Sequence, residues 1–244
     1  MRKNIPNFLT SLNIFSGSLS VMFALEGHIN LAVLTMFFST VFDFFDGMSA
    51  RLLKAYSPIG KELDSLADMI SFGLAPGVMV LTLQKYALFG DVRSLVGIPG
   101  GWLTWIFLLS TFFIPVMSGL RLAKFNIDER QTTTFIGLPT PANAIFFASL
   151  ALIAENGNMT VLDSILLNPY SLLFFTIVMS LLLVSEIPMF SLKIKSLKWS
   201  GNQVRYLFLL TAIVLISFFS FYGITLSILL YIIISFVLSL KKPV

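Results

Sequence analysis

Long apolar stretches alternate along this chain with short polar breaks. Eight such stretches lie near 8–25, 29–53, 61–83, 102–123, 138–154, 169–188, 204–221 and 223–240. Each has about 17–25 residues, enough for a helix across a hydrocarbon core of about 30 Å. The breaks carry turn formers or charge: Glu26-Gly27-His28, a segment around Ser57-Pro58, a glycine-rich stretch 84–101, a polar acidic stretch 155–168 and a basic stretch 193–205. Pro6 suits a helix start. Pro76 predicts a kink, and Gly73, Ala75 and Gly77 predict close helix packing. Trp102 and Trp105 fit an interfacial aromatic belt. The expected fold is all-α: a polytopic integral membrane helical bundle of about eight transmembrane helices. It forms a single domain over 1–244, with a core over about 1–190 and a C-terminal hairpin over about 204–240. The hairpin reads as scaffold or as an oligomer surface, the latter implying a homodimer.

Composition supports this picture. Of 244 residues, 57% are hydrophobic and 11% charged, against about 25% charged in a soluble domain. That leaves room for a membrane domain and for no sizeable soluble one. There are no cysteines, which excludes a disulfide frame, a thiolate metal site and a Cys nucleophile. The net charge of +4 does not point to nucleic acid, because the cations sit in alternate connections. With the N-terminus inside, the inner segments hold Arg2, Lys3, Arg51, Lys54, Lys61, Arg121, Lys124, Arg130, Lys193, Lys195, Lys198, Arg205, Lys241 and Lys242, and the outer ones only Lys85 and Arg93. That bias predicts cytoplasmic termini. Arg2 and Lys3 precede an apolar run with no small-residue cleavage site, so the first span is expected to be uncleaved.

One stretch breaks the apolar pattern. Residues 43–68 read DFFDGMSARLLKAYSPIGKELDSLAD. On a helix Asp43, Asp46, Gly47 and Ala50 share one face, and so do Gly60, Asp64 and Asp68. Two helices joined at Ser57-Pro58 would bring all four carboxylates together. Two carboxylates about 4 Å apart repel by roughly 4 kcal/mol at an effective dielectric near 20, so such a group needs protons or cations. Hard oxygen ligands suit Mg²⁺, Mn²⁺ or Ca²⁺. Two divalent ions would neutralise four aspartates and would suit displacement at phosphorus. At 1.5 Å per residue Asp43 lies about 21 Å in from Ile29, at the inner end of the membrane. Acids at that depth mark a functional cavity or, alternatively, buried structural or ion-pathway acids.

The spacing D-x-x-D-G-x-x-A-R, eight residues, then G-x-x-x-D-x-x-x-D resembles the signature of the CDP-alcohol phosphotransferases, and all eight fixed positions are present. The strings DSLADMISFGLAPG, SGLRLAKFNID and TFIGLPTPANA resemble the phosphatidylserine synthase branch, with Lys124 and Asn143 as departures. The resemblance implies transfer of a phosphatidyl group from CDP-diacylglycerol to L-serine in a prokaryotic cytoplasmic (inner) membrane, at a site facing the cytoplasm. It implies that Asp43, Asp46, Asp64 and Asp68 hold two divalent ions and that Asp68 is also the general base. Asn7, Thr10, Gly47, Ala50, Arg51, Ser57 and Gly60 would bind CDP-diacylglycerol, and Arg121, Lys124 and Asn126 the acceptor.

The other polar residues have plainer readings. Asn13 suits either interhelical hydrogen bonding or a nucleotide contact. Arg51 can fork onto a phosphate or offset the aspartates. Lys54 and Lys61 read as interfacial cations, and His28 as a solvated loop residue. Arg121 and Lys124 suit either positive-inside anchoring or an acidic acceptor. Glycerol 3-phosphate and inositol phosphate are alternative acceptors. A cation transporter is a different class of reading, and it requires polar residues that continue toward the outer face.

Overall fold

Helices begin and end here where the sequence supplies or removes backbone partners. The computed structural model describes residues 4–92, 94–95, 98–128, 135–157, 161–191, 199 and 201–241. Of the expected charge pattern, Arg2, Lys3, Arg93, Arg130, Lys193, Lys195, Lys198 and Lys242 lie outside the described residues. Helix α1 (Ile5–Leu25) carries Pro6 in its first turn, where a missing N–H costs nothing. Gly27, with φ of 82°, turns the chain into α2 (Ile29–Leu52). Ser57 caps α3 (Pro58–Asp68), its hydroxyl accepting from the Gly60 N–H at 3.0 Å.

The third rod is longer than the expected 61–83. α3 passes through a π-helical stretch, Met69–Leu74, into α4 (Ala75–Phe89), giving one run of 32 residues. Pro76 accounts for the change in winding: it cannot donate to the Phe72 carbonyl and its ring crowds it, so the helix widens just ahead of it. The expected kink is therefore a π bulge. Lys85, expected in an outer connection, is buried within α4. The adjacent Gln84 donates to the Pro169 carbonyl at 3.1 Å, which ties this end of α4 into the bundle.

The fourth rod is broken rather than continuous. α5 (Trp102–Ser110) and α6 (Phe113–Ile127) meet at 111–112. Pro115 has no N–H to offer the Thr111 carbonyl, which accepts from Ile114 at 3.3 Å instead. Then follow β1 (Phe135–Ile136), α7 (Thr140–Asn156), α8 (Val161–Leu166) inside the expected polar segment, α9 (Pro169–Val184) and β2 (Pro188–Met189). α9 stops short of the expected 188. The Leu182 and Ile187 carbonyls there accept from Leu138 and Gly137, each at 2.9 Å, and β2 pairs antiparallel with β1. This two-residue ladder is the one exception to an all-α fold among the described residues.

The last helical run, α10 (Gln203–Lys241), reverses at Ser220, where φ is 51° and ψ is −124°. Phe208 and Tyr231 flank the reversal with ring centroids 5.9 Å apart, so the two legs are antiparallel. The expected hairpin is present, with its turn moved slightly toward the N-terminus. Five helical runs are long and apolar enough to cross a membrane, and α9 is a shorter apolar helix. With α7 included and α10 counted as two legs, the described residues form eight rods of a polytopic membrane bundle.

α1 is the hub. Its buried face is Pro6, Thr10, Asn13, Ser16, Gly17, Ser20 and Ala24, a stripe of small and hydroxyl residues that lets backbones approach closely in lipid. A Cβ on Gly17 would overlap the Ser71 hydroxyl of the π stretch. Ser20 donates to Ala32 O at 2.7 Å, and Thr82 to Ala24 O at 2.6 Å. Asn13, fully buried, accepts from Ser71 through Oδ1 at 2.6 Å and from Ser39 through its carbonyl at 3.1 Å. Of its two readings, interhelical bonding is the one its geometry carries. On the far side, Gly73 and Gly77 face Ser118 and Pro115 of α6, where added Cβ atoms would come within 3.0 and 2.9 Å of side-chain carbons. Phe72, Met79, Phe146, Phe147, Leu150 and Leu172 fill the apolar centre.

Two stability predictions follow from these contacts. Asn13→Ala removes the Ser71 acceptor, and thermal unfolding in detergent should reveal a loss of about 1 kcal/mol. Ser220 occupies a backbone region that a Cβ disfavours. Ser220→Gly should therefore raise the unfolding midpoint, with a gain of about 1 kcal/mol after the added chain entropy of glycine.

Candidate active site

The aspartate faces of α2 and α3 meet against the start of α1. The turn between them is tight: Lys54 adopts φ of 49° just past α2, and Ala55 donates back to the Ala50 carbonyl at 3.0 Å. The Ser57 cap then sets the direction of α3. Carboxylate oxygens of Asp43, Asp64 and Asp68 all lie within 4.8 Å of one another. Asp43 and Asp68 are within hydrogen-bonding reach of each other, and Asp68 Oδ1 is buried without a partner.

Asp46 is not part of this trio. Its Oδ2 accepts from the Thr10 hydroxyl of α1 at 2.6 Å, and both residues are buried. Asp46 lies within electrostatic reach of Asp43 and Asp64, with one of its oxygens held by α1. That hold is tertiary: α1 packs along α2 and presents a hydroxyl where the i, i+3 spacing alone would leave Asp46 unpartnered.

The trio fits a divalent cation. Three hard oxygen donors converge, and one buried carboxylate oxygen lacks a partner, which is the donor set that Mg²⁺, Mn²⁺ or Ca²⁺ takes.

A cavity of about 460 Å³ opens beside the trio. It is lined by Asn7, Thr10, Gly47, Ala50, Arg51, Ser57 and Gly60, together with Asp46 and Asp64. The residues that the resemblance assigns to CDP-diacylglycerol thus share one wall-to-wall space. A Cβ on Gly47 would meet only Arg51 Nη2, at 3.7 Å, so this bare surface faces the cavity. Gly60 is tight, with Asn7 Oδ1 and Ser57 Oγ each 3.0 Å from a would-be Cβ. Arg51 Nε donates to the Gly47 carbonyl at 2.9 Å, which holds its guanidinium along this wall. Pro6, Ala55, Tyr56 and Lys61 also line the space. Nothing in the motif singles them out, because they reach it through the α2–α3 turn and the tilt of α1.

Of the three residues expected at the acceptor site, Arg121 and Lys124 line one cavity and Asn126 is turned to α3. Asn126 clasps α3: its amide donates to Ser65 Oγ at 2.8 Å and its carbonyl accepts from Lys61 Nζ at 3.0 Å. Lys61 is therefore tied into the bundle rather than being a plain interfacial cation. Lys124 is exposed and donates to the Val184 carbonyl at 3.4 Å. Arg121 is buried, with 7% exposed, within electrostatic reach of Asp68. Its guanidinium lies 5.1 Å from the Phe125 ring centroid, and its Nε has no hydrogen-bond partner. A second cavity, of about 360 Å³, is lined by Arg121 and Lys124 with Asp128, Ser185 and Glu186. Tyr231 of α10 also comes within electrostatic reach of Arg121. No periodicity links Glu186 or Tyr231 to the aspartate motif, and only the packing of α6, α9 and α10 gathers them.

Known proteins resemble this chain. A CDP-diacylglycerol–serine O-phosphatidyltransferase of Bacillus subtilis is 36% identical over 183 residues, 75% of this chain and 88% of that protein. One of the same name from Helicobacter pylori is 31% identical over 204 residues, 80% of this chain and 74% of that protein. An archaetidylserine synthase of Methanothermobacter thermautotrophicus is 33% identical over 150 residues, 61% of this chain and 58% of that protein. The family model described as CDP-alcohol phosphatidyltransferase matches residues 3–191, which contain the aspartate trio, both cavities and every rod except the α10 hairpin. The chain belongs to the CDP-alcohol phosphatidyltransferase family.

Proposed function

We propose that this protein transfers the phosphatidyl group of CDP-diacylglycerol to L-serine, forming phosphatidylserine and releasing CMP. The observation that carries this reading is the relation of Asp68 to two cavities. Its trio partner Asp64 lines the larger one, and Arg121, which lies within electrostatic reach of Asp68, lines the smaller one. A donor in the first space and an acceptor in the second would meet at the carboxylates.

In this reading Asp43, Asp46, Asp64 and Asp68 hold two divalent ions, Mg²⁺ or Mn²⁺, with Ca²⁺ a further candidate. When bound, these ions clamp diphosphate oxygens and offset their charge. Gly47 and Ala50 leave room for the nucleotide to lie against α2, and Arg51 offers its remaining N–H groups to the diphosphate. Asn7, Ser57 and Gly60 shape the opposite wall. Asp68 takes the proton of the serine hydroxyl as that oxygen bonds to the β-phosphorus and the bond to CMP breaks. A positioned base is worth roughly 10²–10⁴-fold.

Serine is favoured over glycerol 3-phosphate or inositol phosphate by charge. The smaller cavity sets Arg121 and Lys124 against Asp128 and Glu186. That balance suits a zwitterion, whereas a phosphate ester would meet two carboxylates with no positive group of its own. Two relatives named for serine transfer support the same choice. Cation transport has less support, since the buried residues of α2 on the far side of Asp43 are Ile29, Ala32, Met36 and Ser39. The proposed setting is a prokaryotic cytoplasmic membrane, as a homodimer, with residues about 1–190 as catalytic core. A cytoplasm-facing site is supported by Arg51, Lys54, Lys61, Arg121 and Lys124, which cluster at the aspartate end.

CMP release from CDP-diacylglycerol with Mn²⁺ or Mg²⁺, measured with each acceptor separately, tests this reading. Serine should drive release, and Asp68→Asn should lower the rate at least about 10²-fold. Release with another alcohol alone would overturn the choice of serine, and release with none would overturn the reaction. Gly47→Val adds bulk that the bundle accommodates and the cavity does not. The variant should unfold at the wild-type temperature yet raise KM for CDP-diacylglycerol at least about tenfold.

A further inference from the structure

Thr10 was expected to touch the nucleotide, but its hydroxyl is already engaged. Two acceptors lie in range: the Pro6 carbonyl one turn back at 3.0 Å and Asp46 Oδ2 at 2.6 Å. The hydroxyl carries one proton. A helical threonine ordinarily returns it to the i−4 carbonyl. Here the second acceptor is a carboxylate at shorter range, and a charged acceptor takes the stronger bond. Thr10 is 3% exposed and Asp46 5% exposed, so little of either group is open to water.

The bond also crosses between helices. Asp46 stands on α2 with Asp43 one turn before it, and the trio oxygens of Asp43, Asp64 and Asp68 cluster without it. α1 reaches Asp46 through the Thr10 hydroxyl. With Oδ2 fixed on Thr10, one rotation of the carboxylate is selected, and Oδ1 is the oxygen left for the cavity that Asp46, Asp64 and Thr10 line together. A carboxylate ligand oriented by an outer hydrogen bond is the arrangement in which loss of the outer partner weakens metal affinity.

We propose that Thr10 is a positioning residue, which acts through Asp46 by orienting its carboxylate for a divalent cation. The inference rests on the reading above that Asp46 is a metal ligand. It separates Thr10 from the residues that contact CDP-diacylglycerol directly.

The test is titration of the full chain in detergent with Mn²⁺ alone, following free Mn²⁺ by its electron paramagnetic resonance signal. Thr10→Val keeps the shape and removes the hydroxyl, and Thr10→Ser keeps the hydroxyl. Thr10→Val should weaken Mn²⁺ binding about tenfold, while Thr10→Ser should bind as the wild type does. Unchanged Mn²⁺ affinity in Thr10→Val, with a raised KM for CDP-diacylglycerol, would overturn the inference and return Thr10 to the nucleotide. Equal weakening in both variants would also overturn it, since packing rather than the hydroxyl would then matter. If Asp46→Asn binds Mn²⁺ as tightly as the wild type does, the reading of Asp46 as a ligand fails first. Thermal unfolding of each variant, with the midpoint at the wild-type value, establishes that it is folded.

Discussion

Three carboxylates held within 4.8 Å of one another inside an apolar bundle are the constraint on which this structure turns. Each like-charged pair at about 4 Å repels by roughly 4 kcal/mol at an effective dielectric near 20, and the surrounding lipid offers no relief. Left to itself, the trio would push α2 and α3 apart. The bundle resists by close packing. Gly17 admits Ser71, and Gly73 and Gly77 admit α6, so α1, the π stretch and α6 brace the aspartate helices from both sides. Arg121 supplies a buried positive charge within electrostatic reach of Asp68, and Thr10 holds one oxygen of Asp46.

The same bracing frames two spaces, one lined by Asp64 and the other by Arg121. The α2–α3 turn and the start of α1 enclose the larger cavity. The ends of α6 and α9 enclose the smaller one. The C-terminal hairpin is part of this second wall rather than a detached anchor. Tyr231 donates to the Phe190 carbonyl at 3.1 Å and packs against Phe190 and Phe208, just past the β2 ladder that ends α9. A chain segment beyond the family match thereby supports the face on which Arg121 sits.

Much of this was legible from residue pattern alone. Helical rods in lipid must satisfy their own backbone, so length and apolarity nearly suffice to find them. The helix break at Ser57-Pro58 acts through neighbours in sequence and is legible directly. The kink at Pro76 is legible but its form as a π bulge is not, and neither is the break ahead of Pro115, since both depend on how the helix re-pairs a carbonyl four residues back. The contacts of Asn126 are not legible for another reason. Its level in the membrane was right, but its partners Ser65 and Lys61 belong to α3, more than sixty positions earlier.

The sequence by itself determined the class of the fold, the family and the faces on which the aspartates lie, because helical period and residue type are local properties. Tertiary structure alone decided which carboxylates converge, that Thr10 holds Asp46, and that Glu186 and Tyr231 come near Arg121. These depend on the angles at which separate helices cross. Those angles come from small residues packing across distant segments, and no spacing along the chain encodes them.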